Sequence, residues 1–249
     1  MSTIVVIPTY NEVENLPLMV EALFALNIPD LSLLVVDDNS PDGTGQLADQ
    51  IASENPLVSV LHRPEKQGLR PAYIAGFKKA LAMGADTIVQ MDCDFSHQPK
   101  YIPIMLEAIK DYDVVIGSRY TKGGSVDESW HFLRKALSMF ANRIYTPAIL
   151  GLPVKDATAG FRVWTRETLQ RIDLDKIQSN GYIFQIEMSY VATLLGCRFL
   201  EVPIHFPDRR HGQSKMSLSI AAEAALRTWD LKRYYRSMPR QKKVVTERA

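Results

Sequence analysis

The chain is poor in cysteine, in uninterrupted apolar sequence and in net charge, and each shortage removes a class of protein. Cys93 and Cys197 are the two cysteines in 249 residues, so no disulfide framework is predicted. With no recognisable secretory leader, this usage is expected of a reducing, cytoplasmic compartment. No apolar run reaches the roughly 18 residues that a membrane span needs. The longest candidates are broken by Arg143 near 136–152 and by Glu223 near 218–226. Lys and Arg number 29 against 28 Asp and Glu, and a net charge of +1 offers no global field to a nucleic acid. What is present is an ordinary globular composition, 46% hydrophobic and 23% charged, long enough to bury a substantial core.

Apolar stretches near 3–7, 31–36, 57–61, 86–91 and 113–117 read as strands. Helical patterns fall between them, near 12–26, 43–54, 68–83 and 99–110. This alternation predicts an α/β fold, a mainly parallel sheet flanked by helices, with its ligand crevice beyond the carboxyl ends of the strands. Four of those five ends are polar: Pro8-Thr9-Tyr10-Asn11-Glu12, Asp37 to Thr44, Asp92 to His97, and Gly117-Ser118-Arg119-Tyr120. Local structure explains part of this. Asn11 and Glu14 have capping-box spacing, and Pro41-Asp42-Gly43 is a turn signal. Neither role requires Asp37 beside Asp38, nor Arg119.

Asp92-Cys93-Asp94 closes the run Thr87-Ile88-Val89-Gln90-Met91. Acids two apart at a strand end share one side of the pleat, and such a pair is unfavourable without a cation between them. Mg²⁺ or Mn²⁺ suits oxygen ligands of this kind. A solvated loop after a strand is the alternative. Cys93, pointing the other way, reads as a small core residue.

The second half is less regular. Residues 128–150 carry Trp130, Phe132, Leu133, Leu137, Phe140 and Ile144 at helical spacing, with Arg134, Lys135 and Arg143 among them. That stripe reads either as core or as a lipid-facing helix. Three clusters follow, at 156–162, 181–187 and 203–215. From Arg227 to Lys243 seven basic residues face one acid, Asp230, with Trp229, Tyr234 and Tyr235 interleaved. This mix reads either as a solvated helix with a frayed basic tail or as a surface for an anionic membrane. A single domain over 1–249 is expected, since no Gly-, Ser- or Pro-rich linker divides the chain.

The chain resembles the family 2 inverting glycosyltransferases of the GT-A type fold, and among them the polyprenyl-phosphate (dolichyl-phosphate) mannosyltransferases. The resemblance covers about residues 3 to 216 and rests on seven motifs in order. They are Pro-Thr-Tyr-Asn-Glu at 8–12, Asp-Asp-Asn-Ser-Pro-Asp-Gly-Thr at 37–44, Asp-Cys-Asp at 92–94 with His97 and Pro99, Gly-Ser-Arg-Tyr at 117–120, Asp-Ala-Thr-Ala-Gly-Phe-Arg at 156–162, Gly-Tyr-Ile-Phe-Gln-Ile-Glu at 181–187, and Arg209 with Gly212, Ser214 and Lys215.

The resemblance implies a nucleotide-sugar-binding half at about 1–118, an acceptor-binding half at 119–216, and a C-terminal helix with a basic tail at 217–249. Pro8, Tyr10, Glu12, Val36, Asp38, Asp92, Cys93 and Asp94 are implied around the donor. Asp92 and Asp94 would be the metal pair at its diphosphate, and Arg209 and Lys215 a basic loop over it. Arg119, Arg134 and Ser138 match positions that hold the acceptor phosphate. Gln185 would neighbour the reacting groups, with Asp94 and Arg119. Some relatives add a Gln ligand where Ser96 stands here. Relatives also read Gly-Leu-Gly where this chain has Gly68-Leu69-Arg70-Pro71, which puts donor contacts there in question. Asp156 is open between a loop brace and an acceptor-side role. His97 reads as structural, and His211 as loop surface.

The implied activity is transfer of mannose from GDP-mannose to a polyprenyl or dolichyl phosphate, at the cytosolic face of a membrane. The enzyme would be peripheral there or held by a separate membrane-anchoring subunit. A UDP-glucose-dependent polyprenyl-phosphate glucosyltransferase is the nearest alternative. A nucleotidyltransferase would carry a Gly-rich phosphate loop, which Pro8-Thr9-Tyr10-Asn11 is not. A silent nucleotide-sugar binding module would not need to keep Asp92, Asp94, Arg119 and Arg209 together.

Overall fold

In a computed structural model, residues 1–130, 132–207 and 218–241 are described, those at 133, 134 and 218–225 by backbone alone. The strands are β1 (Thr3–Thr9), β2 (Leu31–Asp37), β3 (Val58–His62), β4 (Thr87–Gln90), β5 (Val114–Ser118), β6 (Ser125–Val126), β7 (Arg162–Thr165), β8 (Phe199–Pro203) and β9 (His205–Phe206). The helices are α1 (Leu16–Phe24), α2 (Thr44–Glu54), α3 (Leu69–Ala82), α4 (Ile102–Ala108), α5 (Phe132–Phe140), α6 (Thr146–Leu150), α7 (Arg166–Arg171), α8 (Gly181–Leu194) and α9 (Leu218–Tyr234).

Seven strands form one sheet in the order β3-β2-β1-β4-β7-β5-β8. All neighbours are parallel except β7, which runs antiparallel between β4 and β5. The central strands are apolar on both faces because helices cover both. On one face Val6, Val36 and Ile88 pack with Tyr73, Phe77 and Phe184. On the other, Val5, Val35 and Val89 pack with Leu16, Met19 and Met105. The alternation of Val5 and Val6 between the two clusters is the strand pleat read directly.

Helix α3 lies unusually close to the sheet, and Gly76 permits it. A Cβ there would sit 2.4 Å from Val6 Cγ1 and 3.0 Å from Val36 Cγ2. One turn earlier, Tyr73 is thereby carried to the end of β4. Pro71 stands in the first turn of α3, where its missing N–H costs nothing. Arg70 donates from Nη1 to the Ile177 carbonyl at 2.7 Å.

One local expectation is corrected. The first helix begins at Leu16 rather than near residue 12, and Asn11 and Glu14 form no capping box. Asn11 is left-handed (φ 60°), and three successive N–H groups donate to side chains of the next loop. They run from Asn11 to Ser40 Oγ, Glu12 to Thr44 Oγ1 and Val13 to Asp42 Oδ2, at 3.2, 2.9 and 3.2 Å. Those bonds hold the segment out of helix until Pro17 starts one. The C-terminal helix, left open between a solvated helix with a frayed basic tail and a membrane surface, packs one side into the core, and Lys242 and Lys243 lie outside the described residues. Thr228, Leu231 and Tyr235 are buried, and Tyr235 Oη donates to Glu187 Oε1 at 2.8 Å.

Between β6 and β7 the chain forms one helical rod in three pieces, α5, a π-helical turn over Ala141–Tyr145, and α6. Pro147, one turn on, has no N–H for the Arg143 carbonyl, which accounts for irregularity there. Phe132, Met139, Phe140 and Ile144 are exposed along the rod, and Leu226, Trp229 and Tyr234 along α9. The two meet where Trp229 Nε1 donates to Tyr145 Oη at 3.2 Å. Among the described residues, no helix is long and apolar enough to cross a membrane.

Candidate active site

The polar strand ends converge as parallel register requires. Pro8 stands opposite Val36 and Thr9 opposite Asp37, and the Asp38 N–H donates to the Thr9 carbonyl at 3.0 Å. Asp37 is a brace. It accepts from Thr9 Oγ1, from the Ser40 N–H and from Ser40 Oγ, the last at 2.6 Å. Asp38 instead pairs with Arg63, Nη1 to Oδ1 at 2.5 Å. Burial raises its carboxyl above the usual carboxylate range, with Arg63 opposing. Lys66 Nζ lies 3.5 Å from the centre of the Tyr10 ring. Arg63 and Lys66, which the sequence reading did not single out, contact Asp38 and Tyr10 at this edge. The signal was two cations just past the third strand, at the same sheet edge.

Glu12 accepts from Asn15 Nδ2 at 2.7 Å, which turns its carboxylate back onto its own loop. Val36 and Cys93 have their side chains in the core, so any donor contact there is made by backbone. Burial pushes the Cys93 thiol well up, and Glu12, Asp94 and Asp92 add to that shift. Three carboxylates therefore act on one point at this edge.

Strand β4 ends at Gln90, so Asp92-Cys93-Asp94 lies on the loop beyond it rather than on the pleat. Its shape comes from neighbours. The Asp92 N–H donates to His97 Nδ1 at 2.9 Å, and the His97 ring stacks on Phe161 at 5.2 Å between centroids. Tyr73 Oη donates to Asp92 Oδ1 at 2.9 Å. Burial raises the Tyr73 hydroxyl well above its usual value, and Asp92 and Asp94 raise it further. It therefore stays a donor. Asp94 Oδ1 accepts from the Ser96 N–H and from Ser96 Oγ, at 3.0 and 2.6 Å. Ser96 thus serves the second carboxylate where a longer side chain could have been a ligand.

This donor set fits a hard divalent cation. Asp92 and Asp94 offer hard carboxylate oxygens, and Asp92 is partly open. Mg²⁺ and Mn²⁺ take one or two carboxylates and leave the remaining positions to phosphate and water.

Gln185 is held by a relay across the sheet. Trp164 Nε1 donates to Gln90 Oε1 at 3.0 Å, and Gln90 Nε2 donates to Gln185 Oε1 at 2.9 Å. Gly160 lies against both Gln185 and His97. A Cβ there would stand 3.1 Å from His97 Cε1 and 3.6 Å from Gln185 Nε2. Gln185 is thereby brought beside the Asp92 loop.

Arg119 is buried and forked onto Asp156, Nε to Oδ2 at 2.8 Å and Nη2 to Oδ1 at 2.6 Å. The Arg119 N–H reaches the same carboxylate at 2.8 Å. Burial works against this guanidinium, but Asp156 outweighs it and holds it above its usual range. Asp156 is therefore a brace for Arg119. Its own N–H and that of Lys155 donate to Glu201, both at 2.9 Å. Arg162 supports the same loop from below. It donates to the Ala159 and Ala157 carbonyls at 2.8 and 3.0 Å, and its Nη1 is buried without a partner. Ser138 is buried and accepts from Tyr120 Oη at 2.6 Å. Arg134 is described by backbone alone, in α5, four residues before Ser138. Arg209, His211 and Lys215 lie outside the described residues.

Comparison with known proteins bears on the family and the fold. The model of the family described as glycosyl transferase family 2 matches residues 4–173. An undecaprenyl-phosphate mannosyltransferase of Micrococcus luteus is 49% identical over 226 residues, covering 91% of this chain and 92% of the relative. A polyprenol monophosphomannose synthase of Mycolicibacterium smegmatis is 47% identical over 224 residues, covering 89% and 83%. Among solved structures, glucosyl-3-phosphoglycerate synthase of Mycobacterium tuberculosis with Mn²⁺, UDP and product aligns with a TM-score of 0.64 at 17% identity, over 96% of this chain and 81% of that one. A Pyrobaculum calidifontis mannosyltransferase with GDP-mannose and Mn²⁺ aligns at 0.57 and 14%, over 93% and 75%. At those identities the structures speak for the fold alone. The family match spans well over half of the chain, and the chain belongs to glycosyl transferase family 2.

Proposed function

We propose that this enzyme transfers mannose, with inversion, from GDP-mannose to the phosphate of a polyprenyl phosphate. The observation that carries the reading is near full-length similarity, at 49% and 47% identity, to two enzymes named for polyprenyl-linked mannose transfer. The site chemistry is consistent with it. Asp92 and Asp94 would hold Mg²⁺ or Mn²⁺, which supplies Lewis-acid stabilisation of the leaving diphosphate. Asp38, Tyr10, Arg63 and Lys66 form the nucleotide end, and Glu12 closes its loop. Arg119, with Arg134 and Ser138 on α5, would hold the acceptor phosphate, and Arg209 and Lys215 would cover the donor. Gln185 would orient the sugar.

The central problem is to bring an anionic acceptor beside an anionic donor, and cations solve it. A phosphate monoester has a second pKa of about 6, so near neutrality the acceptor is already a nucleophile. No dedicated general base is needed, unlike transfer to a sugar hydroxyl. Asp156, bound to Arg119, is not free to serve as one.

Reaching a lipid-linked acceptor calls for a membrane surface. The apolar residues exposed on α5 and α9, with Lys232, Arg233 and Arg236 beside them, suit peripheral contact with the cytosolic face. A separate anchoring subunit could supplement it. The test is an incubation with radiolabelled GDP-mannose, UDP-glucose and UDP-galactose against a polyprenyl phosphate, with and without EDTA. Label should enter lipid from GDP-mannose alone and stop with EDTA. Label entering from UDP-glucose instead would reassign the donor.

A further inference from the structure

The π-helical turn does more than interrupt the rod, because its second residue is a buried amide spanning two elements. Asn142 is 2% exposed. Its Nδ2 donates to the Ser138 carbonyl, one turn back, at 2.9 Å. Its Oδ1 accepts the Thr158 N–H at 2.9 Å. Thr158 Oγ1 in turn accepts from Arg119 Nη2, also at 2.9 Å. A continuous line of hydrogen bonds therefore joins the rod to Arg119 through two side chains.

Besides the Arg119 bonds to Asp156, three anchors hold the loop at 156–160. Glu201 holds the Asp156 end from β8, Arg162 holds the middle from β7, and Asn142 holds Thr158 from the rod. The first two are fixed in the sheet. The third belongs to a helix whose outer side exposes Met139, Phe140 and Ile144. A second tie from the same helix, Tyr120 Oη to Ser138 Oγ, arrives one residue from Arg119. π turns recur at functional sites.

We propose that Asn142 is a positioning residue: it sets the guanidinium of Arg119 through Thr158, so that the seating of the exposed helix governs how the acceptor phosphate is held. The inference rests on the acceptor role given to Arg119 above. Asn142 itself touches no substrate. Removing its amide frees Thr158 and lets the Arg119 fork lose one of its two supports, while the donor end, built on β1, β2 and β3, is unaffected.

The test uses the full chain with GDP-mannose and a polyprenyl phosphate in vesicles. Asn142→Ala, Thr158→Val, their double variant and Thr158→Ser are compared by separate KM values for acceptor and donor, with melting temperatures. A buried hydrogen bond is worth about 1 kcal/mol, so each of the first two should raise the acceptor KM about fivefold. The donor KM should stay within about twofold, and Thr158→Ser, which keeps the hydroxyl, should behave as the parent. Residues acting in one line are not additive, so the double variant should be no worse than the more severe single. Equal rises in both KM values, additive losses, or a fall in melting temperature with an unchanged acceptor KM would overturn the inference. If Asn142→Ala does not fold, an acceptor-selective loss in Thr158→Val with recovery in Thr158→Ser still decides it, and no selective loss refutes it. A parent enzyme that moves no mannose would instead sink the functional reading.

Discussion

Arg119 and Asp156 form a buried bidentate pair with a third bond from the Arg119 backbone, so a loop 37 residues away is fastened to the end of β5. Breaking one partner of such a pair leaves an uncompensated buried charge, at a cost of about 3–5 kcal/mol. Asp156→Asn keeps the shape and removes the charge. Its unfolding free energy, measured from the urea midpoint and slope, should fall by an amount in that range, and transfer should fall with it. An unchanged midpoint would mean that Arg119 finds another counter-charge.

Tyr73 donates to Asp92 from a fully buried position, and its hydroxyl is kept protonated by burial and by the two aspartates. A neighbour that orients a ligating carboxylate is typically worth 10–100-fold in metal affinity or activity, so a loss of about tenfold or more is expected of Tyr73→Phe. Mn²⁺ titration of the variant should shift to higher concentration, with transfer recovering as metal is added. Unaltered Mn²⁺ dependence would separate Tyr73 from the metal site.

The main alternation of this fold is legible in the sequence, because buried parallel strands such as Thr3–Thr9 and Leu31–Asp37 leave short, β-branched apolar runs bounded by turn residues. Strand β7 is not legible that way. It carries Arg162, and only the structure reveals that two loop carbonyls and the Trp164 ring make a place for that charge. The polar strand ends pointed to the edge where these side chains converge, but not to their partners there. Asp37 beside Asp38 looks like one feature, yet the first braces a turn and the second pairs with Arg63. The Asp37 brace to Ser40 is local, whereas its bond from Thr9 and the Asp38 pair span 28 and 25 residues, which spacing cannot encode.

Acid should switch the reaction off through the acceptor rather than through Arg119. The guanidinium is held above its usual range by Asp156, so it stays charged across the working pH range. A phosphate monoester gains a proton below about pH 6, and the protonated form is the weaker nucleophile. The sign is therefore loss on acidification, approaching tenfold per pH unit below about 6. Single-turnover transfer measured from pH 5 to 8 at saturating metal reads this. A flat profile would argue against phosphate as the attacking group.

The exposed face of the rod and of α9 gives the membrane proposal its own test. Phe140 and Ile144 are 51% and 59% exposed, large values for side chains of their size, and Trp229 joins them across Tyr145. Truncating after Arg227 would be a poor probe, because it removes Leu231 and Tyr235 from the core. Phe140→Ser with Ile144→Ser leaves the core intact. Each buried large apolar side chain contributes about 1.5–3 kcal/mol, so binding to vesicles should weaken by tenfold or more. Replacing Lys232, Arg233 and Arg236 with Gln should instead remove about 1 kcal/mol each, on anionic vesicles and not on neutral ones. The two variants separate apolar insertion from electrostatic attraction. If neither changes sedimentation with liposomes, the lipid is reached through a separate anchoring protein, and this face is not what meets the membrane.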